Sequence, residues 1–322
     1  MNIILDKRHQ NNNLHTGFMN TNISNCTFMN STIFVRSVNI TFDSCIFSNT
    51  RMAVIGILKE SLSFFKSIWP GIQKNFHTLL TIKQYHKINI IQCVFRNTSL
   101  YSATYMEAII LVQSSNQIQI VNSSFSSISN SGTRWTLPIS IKIIQKIILK
   151  KSNFSKYRLF IDVHQADRKP LIKISHCTFT KCHYANAITI FHSLTSRKLS
   201  KSSIFISNSI FLNGKSLYIS GGTHNRNNIN ITHCLFKNGG PVSVSKYKTL
   251  LIKYSKFVHN REYSAGALDL YVVSNVWISS SHFCNNYSPT QSGAVDHHHS
   301  HTVIYVHCVF ENNSAADGSA MS

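Results

Sequence analysis

Hydrophobic and polar residues alternate along this chain in one recurring pattern. Two apolar residues are separated by one residue, a Cys or Ser follows three positions later, then Phe after two more, and often Asn after another two. The clearest copy is INITHCLFKNGG at residues 229–240, and INIIQCVFRNTS at 88–99 and VIYVHCVFENNS at 303–314 repeat it closely. Such self-similarity predicts a repeat protein.

Eleven phenylalanines mark the repeat, and we use each as the anchor from which positions are counted. The anchors are Phe28, Phe47, Phe95, Phe125, Phe154, Phe179, Phe211, Phe236, Phe257, Phe283 and Phe310. From the first to the last they cover 282 residues in ten intervals, an average of about 28. The interval of 48 residues after Phe47 is the exception. It contains either a degenerate unit around Phe65 or a long loop around the Trp-Pro-Gly at 69–71.

Each unit is predicted to form three short strands separated by corners. The apolar-x-apolar pair has a period of two, which indicates a strand with one buried face. The step of three to the Cys or Ser breaks this parity and indicates a corner, and the Asn after the Phe indicates a turn. A third strand follows, as in GALDL at 266–270 and GAVDH at 293–297.

This arrangement predicts an all-β fold, a single-stranded right-handed parallel β-helix of about eleven coils of about 28 residues. A leucine-rich repeat is the alternative, but its core is dominated by leucine and its units are more regular in length.

Residues at the same position of successive coils should stack into columns in the interior. The predicted structural columns contain Cys26, Cys45, Cys93, Cys177, Cys234 and Cys308 two positions before the anchors, and Phe95, Phe179, Phe236 and Phe310 among the anchors. In other units Ser replaces the Cys, so the position calls for a small buried residue and not for a thiolate. Disulfides between Cys26 and Cys45 or between Cys177 and Cys182 remain the alternatives to simple packing.

Three units near the end carry a further motif. Phe257-Val-His-Asn260 is followed by Gly266-Ala267, Phe283-Cys-Asn-Asn286 by Gly293-Ala294, and Phe310-Glu-Asn-Asn313 by Gly318-Ser319. This resembles the right-handed β-helix proteins of the pectin-lyase-like superfamily. The resemblance is strongest to repeat-rich extracellular members of the polymorphic-outer-membrane-protein and "right-handed β-helix domain" types, whose units read Phe-x-x-Asn and then Gly-Gly-Ala-Ile. The match is partial, because Ala265 and Ser292 replace the first Gly.

The resemblance implies an extracellular or cell-surface protein. We expect residues 1–20 to form an N-terminal segment or an incomplete coil, and residues 21–322 to form a β-helix that stops within a coil, as in a fragment of a longer solenoid. No signal peptide and no transmembrane segment is recognised in the sequence. Ten Asn-x-Ser/Thr sequons are compatible with secretion: Asn22, Asn25, Asn30, Asn39, Asn97, Asn122, Asn153, Asn230, Asn286 and Asn312.

The charge balance indicates the kind of partner. The chain has 32 Lys and Arg against 11 Asp and Glu, a net charge of +21, which favours acidic partners. Nucleic acid is not expected, because no nucleic-acid-binding motif is present and eleven of the aromatic residues belong to the buried Phe column. An acidic glycan, another extracellular protein or further β-helix coils are the expected partners.

Only one pair of acidic residues is placed for chemistry. Asp269 and Asp296 occupy the same position of consecutive units, and should stand about 5 Å apart on an outer face. They are the weak catalytic candidates, since glycoside hydrolysis uses paired carboxylates. The Asn-Thr-Asp, Asp-Asp and Gly-His-Gly motifs of polygalacturonases and the acidic calcium cluster of pectate lyases are absent.

A His-rich run follows Asp296. His298 should share the outer face with Asp296 and Asp269, which makes Asp296 and His298 weak candidates for a metal site. A polar edge without a metal is the simpler interpretation, and no cofactor is predicted. His176, His233 and His307 belong to non-adjacent coils and should be too far apart to share a metal.

The sequence therefore predicts a non-enzymatic extracellular scaffold or adhesin-like protein that binds glycans or proteins along its long face. The alternative is a secreted polysaccharide lyase or glycoside hydrolase that acts on an acidic polysaccharide.

Overall fold

The computed structural model describes most of the chain as β-strands. It describes residues 2–6, 20–36, 39–57, 59–70, 79–96, 110–126, 138–164, 169–182, 186–193, 202–221, 227–263, 265–316 and 321. No helix occurs in these ranges, and so none of them contains a helix suited to crossing a membrane. The chain divides into two compact parts, Met1–Asn153 and Phe154–Ser322. From here on they are called the first and the second unit, and a single repeat is called a coil.

In each unit the strands follow one another in the predicted order, coil after coil. The first unit contains β1 (Asn2–Asp6), β2 (Asn20–Ser24), β3 (Thr27–Met29), β4 (Thr32–Arg36), β5 (Asn39–Asp43), β6 (Ile46–Ser48), β7 (Arg51–Ile55), β8 (Ser61–Phe65), β9 (Ile68–Trp69), β10 (Leu80–Lys83), β11 (Lys87–Ile91), β12 (Val94–Arg96), β13 (Ile110–Val121), β14 (Ser124–Ser126) and β15 (Pro138–Lys150).

The second unit begins within β16 and continues with the same types of strand. Its strands are β16 (Asn153–Ser155), β17 (Arg158–His164), β18 (Leu171–Ser175), β19 (Thr178–Thr180), β20 (Ile188–Ser193), β21 (Ser203–Ser207), β22 (Ile210–Leu212), β23 (Leu217–Ser220), β24 (Asn228–Thr232), β25 (Leu235–Lys237), β26 (Val242–Lys253), β27 (Lys256–Val258), β28 (Leu268–Ser279), β29 (His282–Cys284), β30 (Tyr287–Ser288), β31 (Val295–His298), β32 (Thr302–Val306), β33 (Val309–Glu311) and β34 (Ser314–Ala315).

Neighbouring coils pair in parallel and in register, as a β-helix requires. In the opening repeat, Ile229 and Ile231 of β24 lie opposite Leu250 and Ile252 of β26. The short strand with the anchor Phe236 pairs with its equivalent in the next coil. Equal positions of successive coils therefore stack, which confirms the predicted fold.

Two corners of the coil are formed by left-handed residues. The residue three before each Phe anchor, and three before Trp69, which takes the anchor position of its own coil as described below, has a φ between 45° and 56°. These residues are Asn25, Ser44, Lys66, Gln92, Asn122, Lys151, His176, Asn208, His233, Tyr254, Ser280 and His307. The residue two after the anchor is also left-handed in many coils, including Asn30, Asn213, Asn238, Asn285 and Asn312. Asn adopts this conformation more readily than most residues. Asn97, predicted at the same corner, lies outside the described residues.

The anchors form continuous stacks of aromatic rings in the interior. In the first unit Phe28, Phe47, Trp69, Phe95 and Phe125 stack with ring centroids 4.2–5.2 Å apart. In the second unit the rings from Phe154 to Phe310 stack at 4.6–4.9 Å. The spacing equals the distance between paired strands, because each ring is carried by its own coil.

The long interval after Phe47 contains a further coil. Trp69, four residues after Phe65, takes the anchor position, because it pairs with Phe95 and its ring lies between Phe47 and Phe95. Ser67 then falls in the Cys/Ser column. The repeat was hidden in the sequence because its anchor is a Trp.

The Cys/Ser column is held by hydrogen bonds as well as by packing. The hydroxyl of Ser255 donates to the carbonyl of Lys253 at 2.9 Å, and accepts from the backbone N–H of Cys234 at 3.2 Å. The thiol of Cys234 donates to the carbonyls of Thr232 and Ile206. The column therefore needs a small side chain with a hydrogen-bond donor, which explains why Ser and Cys interchange while Ala is absent.

A short asparagine ladder supports the last coils of the second unit. Asn260 and Asn286 are at most 1% exposed. Asn286 Nδ2 donates to the carbonyl of Phe257 at 3.0 Å, and its Oδ1 accepts from the backbone N–H of Asn260. Asn313 makes the same contacts one coil further on. The Phe-x-x-Asn motif is thus an internal support of the fold.

Candidate functional site

The third strands of the second unit bring the two candidate carboxylates side by side. Asp269 of β28 and Asp296 of β31 are direct partners in the parallel pairing. Paired strands lie about 4.8 Å apart. Both side chains alternate with inward-facing neighbours, Leu268 and Val295, and so they belong to the outer face of these strands.

The two carboxylates differ in their surroundings. Asp296 is only 1% exposed, and its Oδ2 lies 3.0 Å from Nε2 of His298. Burial raises the pKa of Asp269, and the nearby charge of Asp296 raises this pKa further, whereas a hydrogen bond with Ser243 and the proximity of His298 lower it. A carboxyl with a raised pKa is a typical general acid. Asp296, however, is almost completely buried, so its carboxylate is hardly accessible to a polymeric substrate.

The metal candidates form a pair and not a coordination shell. Asp296 and His298 contact each other, as described above. Across the described ranges, however, no three His, Cys, Asp or Glu side chains converge in a way that could hold a metal ion. The next residue, His299, instead contacts the edge of the Tyr271 ring, at a centroid distance of 5.9 Å.

The corner histidines are separated along the second unit, as the repeat requires. His176, His233 and His307 are left-handed corner residues of different coils. His233 stacks on Tyr254 of the following coil at 4.9 Å. These histidines add polar and aromatic groups to an edge of the unit without forming a common site.

The cysteines outside the main column lie elsewhere on the coil. Cys182 is buried, and its thiol donates to the carbonyl of Tyr157 at 3.1 Å. Between Cys177 and Cys182 runs the three-residue strand β19, which spans about 10 Å and exceeds the reach of a disulfide. Cys284 lies beside Glu311 on an outer face. All eight cysteines are free thiols in the structure.

A more extensive surface lies on the outer face of the first strands of the second unit. Counted from the anchors, it is centred on the position six residues earlier, which we call the outer row. In the second unit the outer row consists of Lys173, Phe205, Asn230, Leu251, Trp277 and Ile304, brought together by in-register pairing. Phe205 is 37% exposed and Trp277 46% exposed. Large apolar side chains that lie close together on one outer face make this row a candidate interaction surface.

Polar side chains border this row on both sides. On one side the same strands present Ser203, Asn228, Thr249, Asn275 and Thr302, and on the other Ser175, Ser207, Thr232, Lys253 and Ser279. At one end of the row the Lys173 ammonium lies 5.9 Å from the centre of the Phe205 ring. The surface thus combines flat rings with hydroxyl, amide and ammonium groups.

The sequence contained a signal for this surface that the repeat analysis missed. Trp277 stands between the buried Val276 and Ile278, and Phe205 between Ile204 and Ile206. Three apolar residues in succession mean that both faces of the strand are apolar. Because only alternate side chains of a strand point into the interior of the coil, one of these two apolar faces must lie on its outside.

A buried polar pair in the second unit was also not predicted. The hydroxyl of Tyr247 lies 2.6 Å from Nδ1 of His192, and both side chains are less than 5% exposed. Burial lowers the pKa of His192 to about 4. His192 follows Phe191, and Gly221 follows Ser220, the pairing partner of Phe191, so the residue next to His192 in the following coil has no side chain.

Comparison with known proteins yields a single match. A family model described as the right-handed beta helix region matches residues 159–321, about half of the chain. No curated protein and no solved structure matches the chain significantly. The matched range covers the outer row of the second unit and the pair Asp269 and Asp296.

Proposed function

Because the chain belongs to the right-handed β-helix family, whose fold does not fix an activity, we propose its function from its surfaces. It is a non-enzymatic scaffold, extracellular or on the cell surface, that binds an acidic glycan along the outer row of the second unit. The observation that carries this proposal is the exposed row containing Phe205, Leu251 and Trp277, bordered by hydroxyl and amide side chains.

The chemistry of this surface suits a saccharide. Aromatic rings pack against the apolar C–H faces of sugar rings, and Trp277 and Phe205 offer such rings with large exposed fractions. The neighbouring hydroxyl and amide groups can both donate hydrogen bonds to sugar hydroxyls and accept them. The row repeats every coil, about 4.8 Å apart, and therefore favours an extended polymer over a compact ligand.

The charge of the surface favours an acidic saccharide. Lys173 and Lys253 lie in or beside the row, and the net charge of the chain is +21. By contrast, Asp269 and Asp296 lie on the outer face of the third strands, around a corner of the coil. The groups suited to holding an acidic glycan are therefore separated from the only paired carboxylates among the described residues.

The location outside the cell is part of the same proposal. Among the sequons, Asn25, Asn30 and Asn122 are exposed corner residues, where an attached glycan would meet no steric obstacle. Asn286 is fully buried in the asparagine ladder and could not carry a glycan in the folded protein. Secretion from a glycosylating cell and mapping of the occupied sequons would test this part.

The binding experiment compares charged and neutral polysaccharides of similar backbone, for example dextran sulfate and dextran, and polygalacturonate with its methyl ester. We expect binding to the charged polymers that weakens with added salt. Trp277→Ala should reduce the affinity at least tenfold, about 1.4 kcal/mol, because it removes the largest exposed ring. Gln119→Ala, at the equivalent position of the first unit, is the matched control and should leave the affinity unchanged.

The alternative function, a carbohydrate-active enzyme, is favoured by the raised pKa of Asp269 next to Asp296. A depolymerisation assay on the same polysaccharides distinguishes the two. Release of products that is lost in Asp296→Asn would refute the non-enzymatic scaffold, and equal affinity of Trp277→Ala and the unchanged protein would refute the binding surface.

A further inference from the structure

The Cys/Ser column of the first unit contains two cysteines in directly adjacent coils. Cys26 and Cys45 both stand two residues before their anchors, and the strands on either side of them pair in register. The backbone N–H of Ile46 donates to the carbonyl of Cys26 at 2.9 Å. The two residues are therefore neighbours across one strand spacing, about 4.8 Å, which lies within the Cα–Cα range of disulfides.

The two thiols point in the same direction from neighbouring coils. The thiol of Cys45 points into the column toward the preceding coil, where it donates to the carbonyl of Ile23 at 3.4 Å. The thiol of Cys26 donates to the carbonyl of Ser24 at 3.3 Å, and the thiol of Cys45 also donates to the equivalent carbonyl of Asp43 at 3.3 Å. The sulfur of Cys45 thus lies against the coil that carries Cys26.

No other cysteines of this column are neighbours within the described residues. Ser67, in the coil of Trp69, lies between Cys45 and Cys93, and Ser123 follows Cys93. In the second unit Ser209 lies between Cys177 and Cys234, and Ser255 follows Cys234. From the eleven Phe anchors alone, Cys45 and Cys93 would have been neighbours. The coil of Trp69 excludes that pair.

The geometry points to Cys26 and Cys45 as a redox-active dithiol that closes to a disulfide in an oxidising environment. Cys26 is partly exposed whereas Cys45 is buried, so Cys26 reacts first. Its thiolate attacks a small-molecule disulfide such as oxidised glutathione, which releases one reduced glutathione. The Cys45 thiolate then displaces the second, and two cysteine thiols and one glutathione disulfide become one protein disulfide and two glutathione thiols.

The test is to equilibrate the reduced protein with a glutathione redox buffer and to map its disulfides. Trypsin cleaves at Arg36, between the two cysteines, so a linked pair of peptides reports the bond. We expect this pair and a melting temperature higher by about 5 °C, since the disulfide constrains the unfolded chain.

Serine variants serve as matched controls, because serine is native to the column. Cys45→Ser should remove both the linked peptides and the gain in melting temperature, while Cys93→Ser should retain both. In the Cys26→Ser, Ser67→Cys variant, the introduced thiol lies next to Cys45 and Cys93 and should link to one of them. If Cys26 and Cys45 are recovered only as free thiols or as glutathione adducts, or linked to other cysteines, the proposal is wrong.

Discussion

The two units share their interior but differ in the outer row. Six residues before each anchor the first unit has Asn22, Thr41, Ser63, Asn89, Gln119 and Ile148, whereas the second has Lys173, Phe205, Asn230, Leu251, Trp277 and Ile304. Five of these six first-unit residues are polar, and two of them are hydrogen-bonded to each other, with Asn89 Nδ2 donating to Ser63 Oγ at 3.0 Å. The comparison shows that stacking constrains the inward columns, while the outward positions are free to specialise.

The largest predicted effect tests whether the interiors are equivalent. Phe95 of the first unit and Phe236 of the second are both at most 1% exposed and stacked on both sides. Replacing either by Ala should reduce the free energy of unfolding by about 3–5 kcal/mol, measured by urea denaturation. If the two variants differ by more than about 2 kcal/mol, the columns of the two units are not equivalent.

The next largest effect concerns the buried pair His192 and Tyr247 of the second unit and the pH dependence of stability. Burial lowers the pKa of His192 to about 4, from the ordinary value of about 6.5, so the unfolded chain binds the imidazole proton more tightly than the folded protein. The stability that depends on neutral His192 is therefore complete above pH 6.5 and is lost as the pH falls toward 4, by about 3 kcal/mol.

Denaturation curves at several pH values will measure this loss. The double variant His192→Leu, Tyr247→Phe removes both polar partners and should flatten the dependence between pH 6.5 and 4. If the pH dependence of the free energy of unfolding is unchanged in the double variant, other titratable groups cause it.

The smallest effect concerns a corner of the second unit. Val272 has a φ of 55°, which is unfavourable for a β-branched residue. At the equivalent corners Lys246 and His299 are unbranched at Cβ. Val272→Asn should raise the free energy of unfolding by about 1 kcal/mol. Val272→Thr keeps the branching and should give no gain, and a loss of stability in the Asn variant would show that the valine contacts outweigh the strain.

Much of the fold could be predicted because each coil repeats the same local pattern. Ile229 and Ile231 alternate with Asn228, Asn230 and Thr232, and this parity predicts that both isoleucines are buried. The corner at His233 and the turn at Asn238 could be predicted because they interrupt that parity. Trp69 was missed as an anchor because the search relied on phenylalanine.

The candidate sites depended more on the structure. The adjacency of Asp269 and Asp296 follows from the repeat, but the burial of Asp296 and its contact with His298 are seen only in the structure. The pair His192 and Tyr247 could not be inferred from the sequence, since the two residues are 55 positions apart.

The sequence by itself determined the coil: its three strands, its corners, and the columns of Phe, Cys and Ser, because these follow from the chemistry of successive residues. The tertiary structure decided which coils are neighbours. The coil of Trp69 separates Cys45 from Cys93 and leaves Cys26 and Cys45 adjacent, and the in-register pairing joins Phe205, Leu251 and Trp277 into one surface. The physical reason is that a column exists only after the coils have stacked, so the contacts between coils depend on the number and order of all the coils between them.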